Sequence, residues 1–400
     1  MSEWRELELG RGLRVKHGWA FKGEHFRDSG EQIVLTPGNF HDGGGFKPKN
    51  GTEKFYDGAY PEQFLLKRGD VVTAMTEQAQ GLLGSSATIP SDETFLHNQR
   101  IGLVEITDPE VLDLRYVYHL MNAPMVRRQL QATATGSKVR HTAPERIQDV
   151  RVAVPDIPTQ QVIAEVLDTV DALIENTRRR VAVLEEMARA IYREWFVKLR
   201  YPGREDVPLV DSTLGPIPER WVAGTVGDVI ELRYGKALKA DARRGGEVAV
   251  VGSAGIVGSH DESLVDGPAI VVGRKGNVGS VHWVDGPCWP IDTAYYVATG
   301  LPLRFVAEQL RRTEFTNTHA AVPGLSRDGA YARPFLIPPR DLLDNYQSTV
   351  DPLGAEASAL ARQSDSLGSL RDLLLPKLVT GQIDVSALDL DALVQEGVGS

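Results

Sequence analysis

Residues 159–199 read TQQVIAEVLDTVDALIENTRRRVAVLEEMARAIYREWFVKL and contain neither glycine nor proline. Apolar side chains recur at Ile163, Leu167, Val170, Ile174, Val181, Leu184, Ala188, Ile191 and Trp195. This alternating three- and four-residue spacing is a heptad seam along one helix face. Glu175, Arg178, Arg179, Arg180, Glu185, Glu186 and Arg189 lie off the seam and form a solvated face. Thr159, just after Pro158, is the expected N-cap. At about 1.5 Å per residue, ~40 residues make a rod on the order of 60 Å long. An average helix has only about 11–12 residues. An apolar seam of this length cannot be left in water and calls for a partner.

A second, weaker pattern runs over residues 341–379, through Leu342, Tyr346, Val350, Leu353, Leu360, Leu367, Leu370, Leu374 and Leu378. Pro352, Gly354, Gly368 and Pro376 are expected to interrupt or kink it. At an offset of 183 residues, Leu184, Met187 and Ile191 fall on Leu367, Leu370 and Leu374. The economical arrangement is an antiparallel coiled coil of the two helices. The competing arrangement packs each helix across its own globular domain.

The chain also repeats itself. At an offset of 217, Trp4 falls on Trp221, Gly10 on Gly227, Gly18 on Gly235, Ala20 on Ala237 and Lys22 on Lys239. Lys16 meets Arg233, and Leu9, Leu13, Val15 and Phe21 meet Val226, Ile230, Leu232 and Leu238. Each copy reads as a short strand entering a glycine-containing turn. Further on, Val150-Arg-Val-Ala-Val-Pro155 resembles Pro334-Phe-Leu-Ile-Pro338, now at the offset of 183. The halves therefore share their ends and differ in the length of their middles, where half-specific function is expected.

The 400 residues are too many for one ordinary domain. Hydrophobic content of 42% and charged content of 24% are those of a soluble globular protein. No apolar run approaches the ~18 residues of a membrane span, and Met1, Trp4, Arg5 and Glu6 do not open a signal peptide. The single cysteine, Cys288, rules out an intramolecular disulfide and argues against a cysteine zinc site, so a reducing, cytoplasmic setting is expected. The net charge of −10 weighs mildly against nucleic-acid binding. Distribution matters more than the sum.

The linker Val210-Asp-Ser-Thr-Leu-Gly-Pro-Ile-Pro-Glu-Arg-Trp221, followed by Val226-Gly-Asp-Val, resembles the entry to a recognition domain in specificity subunits of type I restriction-modification systems. Val272-Gly-Arg-Lys-Gly-Asn-Val-Gly279 resembles a segment of those domains. Ala321-Val-Pro-Gly-Leu325 and Gly136-Ser-Lys-Val139 resemble the loops before their final strand, and Leu375-Pro-Lys-Leu-Val-Thr-Gly-Gln-Ile383 resembles the close of their second conserved helix. One departure is that the first half lacks the lead-in before Trp4.

The resemblance implies an α+β fold: two globular α/β target-recognition domains of similar plan, a pseudo-twofold internal repeat, and two long antiparallel helices forming a coiled coil. The expected boundaries are a first recognition domain at 1–157, a long helix at 158–200 and a linker at 201–218. A second recognition domain at 219–339, a long helix at 340–382 and a tail at 383–400 follow. It further implies a non-catalytic DNA-reading subunit, each domain reading one half of a bipartite site in double-stranded DNA. The helices would space the halves and dock two methyltransferase subunits, and a restriction endonuclease-translocase subunit can join them. S-adenosylmethionine, ATP and Mg would sit on those partners and none on this chain.

Candidate DNA contacts are the basic residues beside glycine turns, where backbone can approach phosphate closely. They are Arg14, Lys16 and Lys22 in one half and Arg233, Lys236 and Lys239 in the other, with Arg243 and Arg244 nearby. Gly273-Arg-Lys-Gly276 presents Arg274 and Lys275 on a loop, and arginine can bond a guanine edge bidentately. Lys138 and Arg140 occupy the corresponding place in the first half, and Arg327 follows Gly324-Leu-Ser. The bland alternative for each is an ordinary solvated charge. The coiled-coil and partner-binding seam is assigned to Ile163, Leu167, Val170, Ile174, Leu184, Ile191, Leu353, Leu360, Leu367 and Leu374. Residues 252–258 lack the spacing of a nucleotide loop, residues 40–45 carry one His and one Asp on a flexible turn, and no catalytic motif of a methyltransferase or hydrolase is present. Two competitors remain: a self-sufficient DNA methyltransferase or nuclease, and a coiled-coil adaptor without a DNA role.

Overall fold

The computed structural model describes residues 4–49, 51–77, 81–205, 207–315 and 324–385. The chain forms two compact units, Met1–Asn176 with Ser364–Ser400, and Thr177–Gln363. The division falls inside both long helices, so each unit owns one end of each helix.

The duplication read at an offset of 217 is a duplication of structure. In the first unit, Leu13–His17, Ile101–Ile106, Val71–Ala74 and Ser86–Thr88 form a four-stranded antiparallel sheet in that order. In the second, Ile230–Tyr234, Ala294–Thr299, Ala269–Gly273 and Val281–Val284 do the same. Beside each sheet, the strand that follows the tryptophan pairs with the proline-ended strand: Arg5–Glu8 with Arg151–Val154, and Val222–Thr225 with Pro334–Ile337. Matched glycines make matched contacts. A Cβ on Gly18 would lie 2.3 Å from the Asn98 backbone, and one on Gly235 would lie 2.2 Å from the Ile291 carbonyl oxygen. Only glycine lets the chain leave the strand so close to another backbone. The Val15 and Leu232 amides, also matched, donate to Gln148 Oε1 and Tyr331 Oη from the short helices Pro144–Gln148 and Arg327–Tyr331.

The middles differ, as expected. The first unit inserts a second sheet of two-residue strands, Phe26–Arg27, Phe55–Tyr56, Ile33–Val34 and Phe95–Leu96. The second unit inserts a three-stranded sheet, Gly255–His260, Val248–Gly252 and Cys288–Pro290. The glycine-rich run 252–258 is thus a strand, a turn and a strand.

The first long helix spans Ile157–Tyr192 and runs into a π-type turn, Arg193–Val197. It starts earlier than expected. The cap is Asp156, whose Oδ1 accepts from the Thr159 amide at 3.1 Å, so Thr159 is already in the first turn. The second long helix spans Arg340–Leu378 without a break at Pro352, Gly354, Gly368 or Pro376. Tertiary packing overrides the local breakers, and Gly354 leaves room for a neighbour: a Cβ there would lie 1.9 Å from Arg304 Cζ and would displace that guanidinium.

Within each unit the helices pair antiparallel. In the first, Ile163, Ala164 and Leu167 share a core with Leu375, Leu378 and Val379. In the second, Tyr192 and Phe196 share a core with Leu343, Tyr346 and Val350. Those cores also contain sheet residues such as Val152 and Val272, so each helix end packs on its own domain as well. Of the seam residues, Ile163, Leu167, Ile174 and Leu360 are buried, and Val170, Leu184, Ile191, Leu353, Leu367 and Leu374 are half-buried. Met187 and Leu370 are not seam residues. They are exposed, because buried Ala357, Ser364 and half-buried Arg371 carry the inward face instead.

Trp221 stacks on Tyr201, centroids 5.6 Å apart, beneath the linker. Trp4 is covered by the turn that follows the second helix, where a Cβ on Gly381 would lie 2.5 Å from its indole. The motif residues 321–323, His319 and the tail 386–400 lie outside the described residues. No helix among the described residues is long and apolar enough to cross a membrane.

Candidate nucleic-acid interface

The matched strands alternate in the same sense, burying Leu13 and Val15, or Ile230 and Leu232, and exposing the residues between. Arg14 and Lys16 therefore share an outer face. Both meet Glu105 on the neighbouring strand, at 2.7 Å and 2.6 Å. Partial burial pushes the Glu105 carboxyl up, but hydrogen bonds from Lys16 and Arg14 outweigh that and hold it below the usual carboxylate range. The face keeps one net positive charge. On the duplicate strand Arg233 pairs with Glu231 at 2.8 Å.

Lys22 and Lys239 each precede a short turn at the matched position, Gly23–His25 and Ala240–Ala242. Both are exposed. Lys236 is fixed through its backbone: its amide donates to the Pro290 carbonyl at 2.9 Å and its carbonyl accepts from Trp289 Nε1 at 3.0 Å. Arg244 is engaged by Asp261 and Glu262, and Arg243 donates to the Val257 carbonyl.

Arg274 and Arg327, 53 residues apart, are brought together. Their guanidinium carbons lie 4.9 Å and 4.8 Å from the ring centroid of Tyr234. Tyr234 is 46% exposed, at the end of the duplicated strand. The loop carrying Arg274 is firmly held. The amides of Arg274 and Lys275 both donate to the Thr293 carbonyl, at 2.9 and 3.0 Å, and the Leu325 amide donates to the Arg274 carbonyl at 2.8 Å. A Cβ on Gly273 would lie 2.0 Å from the Asn277 carbonyl oxygen, so the turn requires glycine there. Lys275 is exposed and makes no ion pair among the described residues. Two guanidiniums on one ring concentrate positive charge that a phosphate can neutralise and N–H donors that a guanine edge can accept.

In the first unit the loop at 136–140 is closed by mutual backbone bonds between Thr135 and His141. Lys138 stands exposed on it. Arg140 is engaged inward. It donates to the buried Glu77 carboxylate at 3.3 Å and to the Gln131 carbonyl. Glu77 also accepts from the Gly81 and Leu83 amides, so Arg140 completes a buried network.

Sequence reading missed Tyr234. The available signal was its place, one residue before Gly235 on a strand with an exposed basic face, where the first half has His17. It also missed Glu105, which nothing local ties to Arg14 and Lys16.

The family profile described as type I restriction modification DNA specificity domain matches residues 1–186. The chain is similar to the type I restriction enzyme EcoBI specificity subunit of Escherichia coli, with 24% identity over 60% of this chain and 50% of that one. It is also similar to the type I restriction enzyme MjaIX specificity subunit of Methanocaldococcus jannaschii, with 23% identity over 68% of this chain and 70% of that one. The chain thus spans half the length of the bacterial relative it matches. The fold is that of the crystal structure of the type I restriction-modification system S subunit from M. genitalium, with a TM-score of 0.60 and 16% identity over 94% of this chain and 96% of that one. Duplicated plan, helix pairing and sequence matches agree: residues 1–186 match the type I restriction modification DNA specificity domain, and the chain as a whole is similar to type I restriction-modification specificity subunits.

Proposed function

We propose that the chain is the DNA-reading subunit of a type I restriction-modification complex, in which each unit reads one half of a bipartite site and the chain itself does no chemistry. The observation that carries this reading is the convergence of Arg274 and Arg327 on exposed Tyr234, at the end of a strand duplicated from the one that presents Arg14 and Lys16. The overall charge of −10 makes such concentrations of cations informative. Phosphate contacts from Lys22, Lys138, Lys236, Lys239 and Lys275 would set position, and Arg274 and Arg327 would read bases. Two reading units on one chain gain from effective concentration, since the second half-site binds as an intramolecular event.

The same reading gives the paired helices the tasks of setting half-site separation and docking two methyltransferase subunits, with a restriction subunit able to join. S-adenosylmethionine, ATP and Mg belong to those partners.

The test is duplex binding by the full chain with its methyltransferase partner. Arg274→Ala and Lys275→Ala each weaken binding by about fivefold to a hundredfold, the range of ~1–3 kcal/mol for such contacts, with the unfolding midpoint unchanged. Lys275→Ala also lowers the salt dependence. Wild-type affinity in both variants overturns the assignment of this loop. If neither the chain nor its complex shifts duplex DNA at low salt, the adaptor reading replaces this one.

A further inference from the structure

The hairpin Val248–Gly252 and Gly255–His260 carries the most exposed large apolar side chain among the described residues, Ile256, at 70%. Val248–Gly252 pairs on its other side with Cys288–Pro290, so Gly255–His260 is an edge strand. The register shifts within the hairpin. Val251 faces Ile256 and Val250 faces Gly258, which leaves Val257 as the extra residue of a bulge. Successive side chains of a regular strand take opposite faces. Here the bulge exposes two in succession, Ile256 and Val257. Bulges re-aim side chains in this way beside functional sites. The tip is anchored from behind, where Val250 and Val251 are fully buried.

The hairpin turn is tied to the basic loop. The Ser253 carbonyl accepts from Ser280 Oγ at 2.5 Å and from His282 Nε2 at 3.0 Å. The Ser253 amide donates to Thr293 Oγ1 at 3.4 Å, and the Thr293 carbonyl holds the amides of Arg274 and Lys275. On the other flank Arg243 donates to the Val257 carbonyl at 2.6 Å and to the Leu238 carbonyl at 3.5 Å, which ties in the segment carrying Lys236 and Lys239. The apolar pair is thus set between two basic segments. That pattern fits a polyanion that also offers a small apolar feature. In the major groove, wide enough for a two-stranded ribbon, that feature is the thymine 5-methyl group.

We infer that Ile256 is a specificity-determining residue that packs against the 5-methyl group of a thymine in the recognised DNA. The inference rests on the DNA-reading function proposed above. The probe is a duplex carrying the two-part motif methylated in the host, in which each thymine is replaced in turn by deoxyuridine, which lacks only that methyl. Binding is titrated with the full chain and its methyltransferase partner, using wild type, Ile256→Ala and Arg274→Ala. One deoxyuridine substitution weakens wild type about threefold to tenfold, the worth of one buried methyl, and leaves Ile256→Ala unchanged, since both remove the same contact. Ile256→Ala keeps the wild-type melting midpoint and still assembles with the methyltransferase. Wild-type affinity of Ile256→Ala for the unmodified duplex overturns the inference. So does equal weakening of both proteins by every deoxyuridine, or loss of methyltransferase from the variant. If Arg274→Ala still weakens binding in those cases, DNA reading stands and only the role of Ile256 falls. If Arg274→Ala is silent too, its loop leaves the interface with Ile256, and the DNA reading itself falls only if the full complex shifts no duplex at low salt.

Discussion

His97 shows how a single residue secures the turn behind the basic strand of the first unit. Its carbonyl accepts from the Trp19 amide at 2.7 Å, and its Nε2–H donates to the Ile101 carbonyl at 2.8 Å. It is 1% exposed. Burial, against the favourable bond to Ile101 and with help from nearby His17 and Lys16, lowers its pKa to about 4. The unfolded chain takes up the proton near pH 6.5, whereas the fold refuses it until about pH 4. Stability is therefore lost as pH falls through that window, by up to roughly 3 kcal/mol. His97→Gln can keep a donor to Ile101 and has no such proton to gain. Urea unfolding at pH 7 and at pH 4.5 should show wild type losing more stability than the variant, by about 2 kcal/mol. Equal losses would mean that His97 is not buried neutral.

At the scale of the element, the second long helix is continuous where local propensity says it should break. Its two interior glycines are not equivalent. A Cβ on Gly368 would meet nothing within 4 Å, while one on Gly354 would strike the guanidinium of Arg304. That guanidinium lies 4.5 Å from the Trp283 ring centroid and 3.4 Å from Asp351. Gly368→Ala should therefore stabilise by about 0.5–1 kcal/mol, the helix propensity difference. Gly354→Ala should not, because Arg304 must give up its ring and its carboxylate. In an Arg304→Ala background Gly354→Ala should recover the gain. Thermal unfolding of the four variants measures the coupling, and its absence would deny Gly354 this role.

These elements also mark what the sequence could reveal. Periodicity carries seam and strand faces, since Leu13 and Val15 or Ile163 and Leu167 are buried by the geometry of their own element. The repeat carries glycines whose constraint is backbone contact. Partners distant in sequence carry the remainder. Arg140 reads as a free cation until Glu77, 63 residues away, is seen beneath it. Gly354 reads as a breaker until Arg304 is placed, and Arg274 and Arg327 read as separate candidates until Tyr234 joins them.

At the scale of the whole molecule, the long helices run from one compact unit into the other, and the proposed function makes them a ruler. Within the first unit their pairing includes a polar contact, Arg371 with Asp171 at 3.4 Å, where burial raises the carboxyl against the pull of His119 and Arg371. A half-buried polar pair of this kind favours one register, because sliding separates the two charges. Adding seven residues near the middle of the first helix alone lengthens it by about 10 Å and sets its two ends in conflict with the partner helix. Adding a heptad at the facing points of both helices keeps the apolar seams and the Arg371–Asp171 pair matched. The single insertion should lower the melting midpoint, and the double insertion should restore most of it. Both should abolish methylation at the native bipartite site, since about 10 Å is on the order of three base pairs at 3.4 Å each. Methylation mapped across the host genome reads the result. Unchanged modification of the native site by the stable double insertion would show that the helices do not set the spacing.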